Sequence, residues 1–276
     1  MALDDAYHHC AGEARRYDGD RLACALFAPP AARRGLVALL AFNLELARLR
    51  DHVREPMLGA MRLQWWRDGL DAIYAGKPRV QPVAMALADA VARHVMPRAL
   101  LEALIDGRER DFDDTPFATL ADLEVYVSES SGALGAAMTA LLGGDASAQD
   151  LARRAGAAFG LVGLARAAPF HAGQGRWLLP DDLLRVQGVD REATALGRFT
   201  PELGRVLSAM TARAAEIAPS PGSLSRALRP AVLPAPLALA QARRLAASGH
   251  DPFKVETQVS PLRRALVLGR AFWLGV

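Results

Sequence analysis

The sequence predicts an all-α protein folded as one domain, and three observations carry that expectation. Apolar residues recur at steps of three and four over most of the chain. No segment alternates apolar and polar residues with the Val, Ile and Thr enrichment of a strand. Between the periodic stretches, prolines and glycines sit where helices start and stop. A length of 276 residues, 51% hydrophobic and 23% charged, suits a globule with a sizeable core. No internal repeat, long linker or low-complexity tail divides it, so the expected domain runs over 1–276.

In chain order, Pro29-Pro30 ends an N-terminal helical stretch, and the next helix starts on Pro30 and runs over about 31–53, stopped by Pro56. A third covers 57–74 and closes at Gly76-Lys77-Pro78. Helices over 83–94, 98–110 and 120–142 follow, the last broken at Gly143-Gly144. Asp145 or Ser147 then caps a long helix that leaves its axis near Pro169. After Pro180 a short helix begins at Asp181-Asp182. The remaining helices span about 201–217, 224–247 (kinked by Pro234 and Pro236) and 261–274.

Composition excludes several function classes. The formal net charge is only +3, and no Lys/Arg tract or aromatic series points to nucleic acid. Cys10 and Cys24 are too few for a zinc site and are expected as reduced thiols. The polar start MALDDAYHHC is unlike a signal peptide, and no apolar run reaches the roughly 18 residues of a membrane span. The expectation is a cytoplasmic protein whose membrane contact, if any, is peripheral to the inner membrane.

The long helix, AGAAFGLVGLARAAPFHAGQGRWLLP over 155–180, is the centre of the chain. Gly160, Gly163, Ala167 and His171 share one face at helical steps, and their small side chains leave room for a neighbouring helix or a flat apolar ligand. Elsewhere, Arg62, Gln64, Trp65, Trp66 and Arg67 form a dense patch, read as core tryptophans with arginines paired to Asp68 or Asp71. Asp111-x-Asp113-Asp114 precedes Pro116 and reads as a solvated turn.

Several stretches together resemble the squalene/phytoene synthase family, the all-α head-to-head prenyl transferases. They are LVALLAFNLELARLRD (36–51), MRLQWWRDGLDAIYAG (61–76), LIDGRERDF (104–112), YVSESSGALG (126–135), Arg166 through GRWLLPDDLL (175–184), and SPLRRALVLGRAFW (260–273). The resemblance implies an isoprenoid-synthase-like helical bundle around a central cavity. It also implies a cavity lining drawn from Asn43, Arg48, Asp51, Arg62, Trp66, Tyr126, Gly160, Gly163, Arg166 and His171. In Tyr126 with Ser131, Gly132 and Gly135, the glycines serve close helix packing.

Active members carry two aspartate-rich segments that gather about three Mg2+ ions onto prenyl diphosphates. This chain departs from both. Where the family has DDxxD, it has Ala47, Arg48, Leu49, Arg50 and Asp51. Where the family has Q-x-x-N-x-x-R-D-x-x-x-D, it has Gly160, Gly163, Arg166, Ala167 and His171, so only the arginine survives. Losing each ligand to such a cluster costs about a hundredfold in rate. Glu45, Arg48 and Asp51, at i, i+3 spacing, are expected to form an ion-pair ladder instead. The AFNLELARLRD and ARAAPFHA stretches resemble the branch that includes a respiratory complex I assembly factor.

The expectation is therefore a catalytically degenerate protein without a cofactor, a binding or assembly factor with a protein partner in respiratory-complex assembly, or a carrier of an isoprenoid or lipid ligand. The enzymatic alternative is a Mg2+-dependent prenyl-diphosphate transferase with a relocated metal site at Asp51 and Asp111 with Asp113 or Asp114. His171, alone, makes no metal site and is expected to be structural. The apolar C-terminal segment 265–276, with Phe272 and Trp273, caps the bundle or docks on a membrane or partner.

Overall fold

The structure, a computed structural model, describes residues 2–53, 55–94, 96–254 and 259–276, and among them it holds helices and turns but no strand. The N-terminal stretch is two helices, α1 (Leu3–Tyr17) and α2 (Gly19–Ala25), because Asp18 leaves helical geometry and caps α2 by accepting from the Arg21 amide at 3.3 Å. Helix α3 (Pro30–Ala47) begins on its proline and buries Leu36, Leu39, Leu40, Phe42 and Leu46. It ends at Arg48, and a separate four-residue turn, α4 (Leu49–His52), carries Asp51 outward. Helix α5 (Pro56–Tyr74) and α6 (Pro82–His94) match the proline and glycine signals.

Helix α7 (Arg98–Asp106) stops four residues before the sequence expectation. Gly107 lies so close to the carbonyl of Glu129 that a Cβ there would collide with it. The chain then tightens into a 3₁₀ turn, Glu109–Phe112, which buries Asp111. The segment expected as one helix over 120–142 is α8 (Leu120–Val127), a π turn at Ser128–Gly132 and α9 (Ala133–Leu141).

Helix α10 (Ala146–Gly173) is capped by Asp145 and spans 28 residues. It continues through Pro169, which merely removes one amide donor, and closes where the Gln174 and Arg176 amides donate to the His171 carbonyl. Next come α11 (Asp181–Gln187), α12 (Arg191–Ala195), absent from the sequence reading, and α13 (Pro201–Ile217). Pro234 and Pro236 do not kink a long helix; α14 (Pro234–Ala247) starts on Pro234, where a missing amide hydrogen costs nothing. The last helix is α15 (Pro261–Leu274).

Two large apolar clusters flank α10. Its Ala152 and Ala155 join the first, with α1, α3, α6 and α9, while Ala157, Ala158, Leu161 and Val162 join the second, with α13 and α14. Small side chains make this double contact tight. A Cβ on Gly135 would strike the Ala152 carbonyl, and one on Gly156 the Ser131 carbonyl. The inner face of α15 packs Leu268, Ala271 and Phe272 on Cys24, Leu233 and Leu237, so it does cap the bundle; Leu262, Leu266, Trp273 and Leu274 face out.

Candidate functional site

A cavity of about 580 Å3 lies between α10, α8, the C-terminal end of α3 and the α1–α2 junction. From α10 come Gly160, Gly163, Ala167 and His171, the shared face expected from the spacing, together with Arg166. Gly160 is there for packing, since a Cβ would press within 2.9 Å of Val127. Gly163 is different: a Cβ would meet nothing within 4 Å, so this glycine leaves space open. Leu44, Ala47, Val127, Phe159 and Leu164 add apolar wall.

One end of the cavity is closed by a bonded chain of polar groups. Arg108 donates from Nη2 to Asn43 Oδ1 at 3.1 Å, and its Nη1 lies 3.5 Å from Asp111 Oδ2. The Tyr126 hydroxyl donates to Asp111 Oδ1 at 2.5 Å. Burial, and then the Asp111 charge, raise the Tyr126 pKa and keep the phenol protonated. Asp111 is thus a buried, doubly engaged carboxylate, which corrects its reading as part of a solvated turn; Asp113 and Asp114 are exposed as expected.

Over the lining as a whole, arginines outnumber the acids. The charged lining residues are Arg16, Arg21, Arg108, Arg166 and Arg264 against Asp18 and Asp20. Asp20 gives one oxygen to Arg264 at 3.0 Å and the other to Gln241 at 2.7 Å. Asp18 is spent on the α2 cap and lies 3.4 Å from Arg21 Nε, and burial raises its pKa. Arg21 also stacks on Phe159, 4.9 Å from the ring centre. Arg166 makes no hydrogen bond or ion pair among the described residues, and burial lowers its pKa, with the Asp20 charge acting against that. Among the described residues, the buried nitrogens that make no hydrogen bond are Arg21 Nε (still ion-paired with Asp18) and Nη1, Arg108 Nε, Arg166 Nε and His171 Nδ1, all on residues that line this cavity. Burial first, then Arg176, lower the His171 pKa to about 4, so the imidazole is neutral at pH 7.

Of the ten residues expected to line the cavity, Asn43, Tyr126, Gly160, Gly163, Arg166 and His171 do so. The other four stand elsewhere. Arg48, at the end of α3, reaches Glu13 at 3.1 Å and stacks on Tyr17; the expected Glu45–Arg48–Asp51 ladder does not form because the helix breaks at Arg48. Asp51 is exposed and lines a separate depression with Arg50, Asp114 and Arg176. Arg62 is exposed on α5. Trp66 is buried in the core, edge-on to Phe42 at 5.1 Å. Arg67 pairs with Asp106 and Glu109 rather than with Asp68 or Asp71.

Sequence reasoning missed Asp18, Asp20, Arg21, Arg108 and Phe159. The Asp-Gly-Asp-Arg run at 18–21 carries a helix-cap signature, and Arg108-x-x-Asp111 carries an i, i+3 ion-pair spacing; neither by itself says that it faces a cavity. The donor set does not suit a cluster of divalent cations. Among the described residues no three His, Cys, Asp or Glu side chains come close enough to share a metal ion, and the two cavity aspartates are already bound to arginine, glutamine or backbone.

Comparisons with known proteins fit this geometry. The model for the family described as squalene/phytoene synthase matches residues 14–268. Assembly factor 6 of NADH dehydrogenase (ubiquinone) complex I from Bos taurus is 36% identical over 185 residues, 67% of this chain and 56% of that protein. The Homo sapiens protein of the same name is 35% identical over 186 residues, again 67% and 56%. The chain thus matches little more than half the length of these relatives. A phytoene synthase from Rhodobacter capsulatus is 34% identical over 168 residues, 60% of this chain and 49% of that one. Among solved structures, a dehydrosqualene synthase in complex with ligand superposes with a TM-score of 0.83 at 19% identity, over 98% of this chain and 96% of its own. These structures share the all-α fold.

Proposed function

The chain belongs to the squalene/phytoene synthase family, and from that premise we propose that it is a non-enzymatic member, a binding or assembly factor serving respiratory complex I. The observation that supports this most is the charge of the cavity. Where a prenyl transferase needs free carboxylates on facing helices, this cavity presents five arginines and two aspartates that already have partners. The relatives named as complex I assembly factors support the assembly role and a protein partner. Among the described residues no helix is long and apolar enough to cross a membrane. The exposed Leu262, Leu266, Trp273 and Leu274 on α15 support peripheral contact with the inner membrane from the cytoplasmic side.

Purified protein incubated with Mg2+ and farnesyl or geranylgeranyl diphosphate is expected to release no diphosphate; turnover would refute the non-enzymatic reading. Deletion of the gene in its own host is expected to lower assembled complex I on native gels, and an unchanged amount would refute the assembly role.

The similarity to phytoene synthase favours a second reading, the transferase with a relocated metal site. It predicts Mg2+-dependent diphosphate binding that disappears on Asp51→Asn. Of its carboxylates, Asp111 is held by Tyr126 and Arg108, Asp114 by Arg50 at 2.7 Å and Asp113 by Arg110 at 2.9 Å, while Asp51 shares a depression with Asp114.

A further inference from the structure

Charge is not spread evenly along this chain. Residues 217–276 hold eight Lys and Arg against two acids, although the whole chain holds 33 against 30. Helices α14 and α15 carry no acid at all. Between them lies a groove of about 520 Å3, walled by Pro221, Pro236, Leu239 and Val267. Arg243 reaches it from α14 and Arg270 from α15, and no acid lines it. Other arginines of this region are engaged: Arg264 pairs with Asp20, Arg229 donates to the Phe272 carbonyl, and Arg226 lies over the Trp273 ring. Arg243 and Arg270 are exposed and have no hydrogen bond, ion pair or ring contact among the described residues.

Each of the two follows an apolar wall residue by about one helical turn, Arg243 after Leu239 and Arg270 after Val267. Both walls thus offer an apolar contact and then a guanidinium fork that fits a carboxylate. The exposed Leu262, Leu266 and Trp273, spaced by four and seven, lie on an adjoining face of α15, so a bilayer contact there leaves the groove free.

We propose that this groove docks an acidic segment of a partner protein, which sets Asp or Glu against Arg243 and Arg270 and apolar side chains on Pro236, Leu239 and Val267. The inference rests on the assembly reading, which supplies a protein partner, and gives that partner its chemistry. A second copy of this chain meeting the groove through the same face would set arginine against arginine. Neither arginine has a partner within the described fold, so their substitution separates docking from folding.

The test has a binding arm and a cellular arm. A phage-displayed random peptide library is panned on the full chain, and the selected peptides are titrated by fluorescence anisotropy. They are expected to be rich in Asp and Glu beside large apolar residues and to bind more weakly as salt rises. The double variant Arg243→Glu with Arg270→Glu should bind them about tenfold or more weakly with its unfolding midpoint unchanged. Arg243→Gln with Arg270→Gln, which adds no repulsion, should lose part of the binding. No selectable peptide, peptides without acid enrichment, or equal binding by the Glu variant would each overturn the proposal. Vesicles of phosphatidylcholine and phosphatidylglycerol that lose the Glu variant, when no acidic peptide does, would overturn it in favour of a lipid headgroup. A dimer of the native chain that the Glu variant cannot form would overturn it in favour of a second copy. In a deletion host, the native gene is expected to restore assembled complex I and the Glu variant to restore clearly less. Restoration by neither refutes the assembly reading, whereas full restoration by both overturns the docking groove alone.

Discussion

His171 occupies the α10 position where the family pattern has its last aspartate, and the exchange turns an anion into a neutral ring. Burial and the nearby Arg176 hold its pKa at about 4 instead of 6.5, so the fold favours the unprotonated form. The unfolded chain takes up the proton first as pH falls. Stability contributed by this residue is complete above about pH 6.5, is lost between there and about pH 4, and stays lost below. At about 1.4 kcal/mol per unit the loss amounts to at most about 3 kcal/mol. The difference in unfolding free energy between the native chain and His171→Asn should therefore shrink by up to that amount between pH 7 and pH 4; a pH-independent difference would contradict the assignment. At this scale the sequence shows which side chains are missing. It does not show that Asp111, which looks like part of an acidic turn, is drawn inward by Tyr126 and Arg108.

Helix α10 is the element on which both halves of the molecule close. Its glycines and alanines read from the sequence as a surface for close approach, and the structure shows two distinct uses. Gly156, against Ser131, and Gly135 on α9, against Ala152, let backbones touch, where any Cβ collides with a carbonyl oxygen, whereas Gly163 keeps space in the cavity. Gly156→Val should cost about 1–3 kcal/mol or more, as overpacking does in a rigid core, while Gly163→Val should be close to neutral for stability. Urea titration of both variants checks this, and equal losses would contradict the division of roles. The helix boundaries were legible wherever proline or glycine marks them, as in α5, α6 and α13. They were not legible at Arg48, where no proline or glycine stands, nor at Gly107 and Ser128–Gly132, which press backbone against backbone.

The whole molecule is one body because α10 lends side chains to both large clusters. Neither cluster keeps its wall if that helix leaves. Unfolding should therefore be a single transition in which tryptophan fluorescence, reporting Trp65 and Trp66 in the first cluster and Trp177 in the second, superposes on the far-ultraviolet circular dichroism. Two resolved transitions would show that the halves fold separately.

By itself the sequence determined the all-α class, most helices, the small-residue face of α10 and the loss of the family's aspartates, because periodicity, chain punctuation and residue chemistry are local properties. Tertiary structure alone decided which charges face the cavity. That outcome depends on meetings across the chain, such as Asp20 with Arg264 and Asn43 with Arg108, 244 and 65 positions apart. Whether an arginine is neutralised, or left with nitrogens seeking an acceptor, follows from those distant partners and not from its neighbours in the chain.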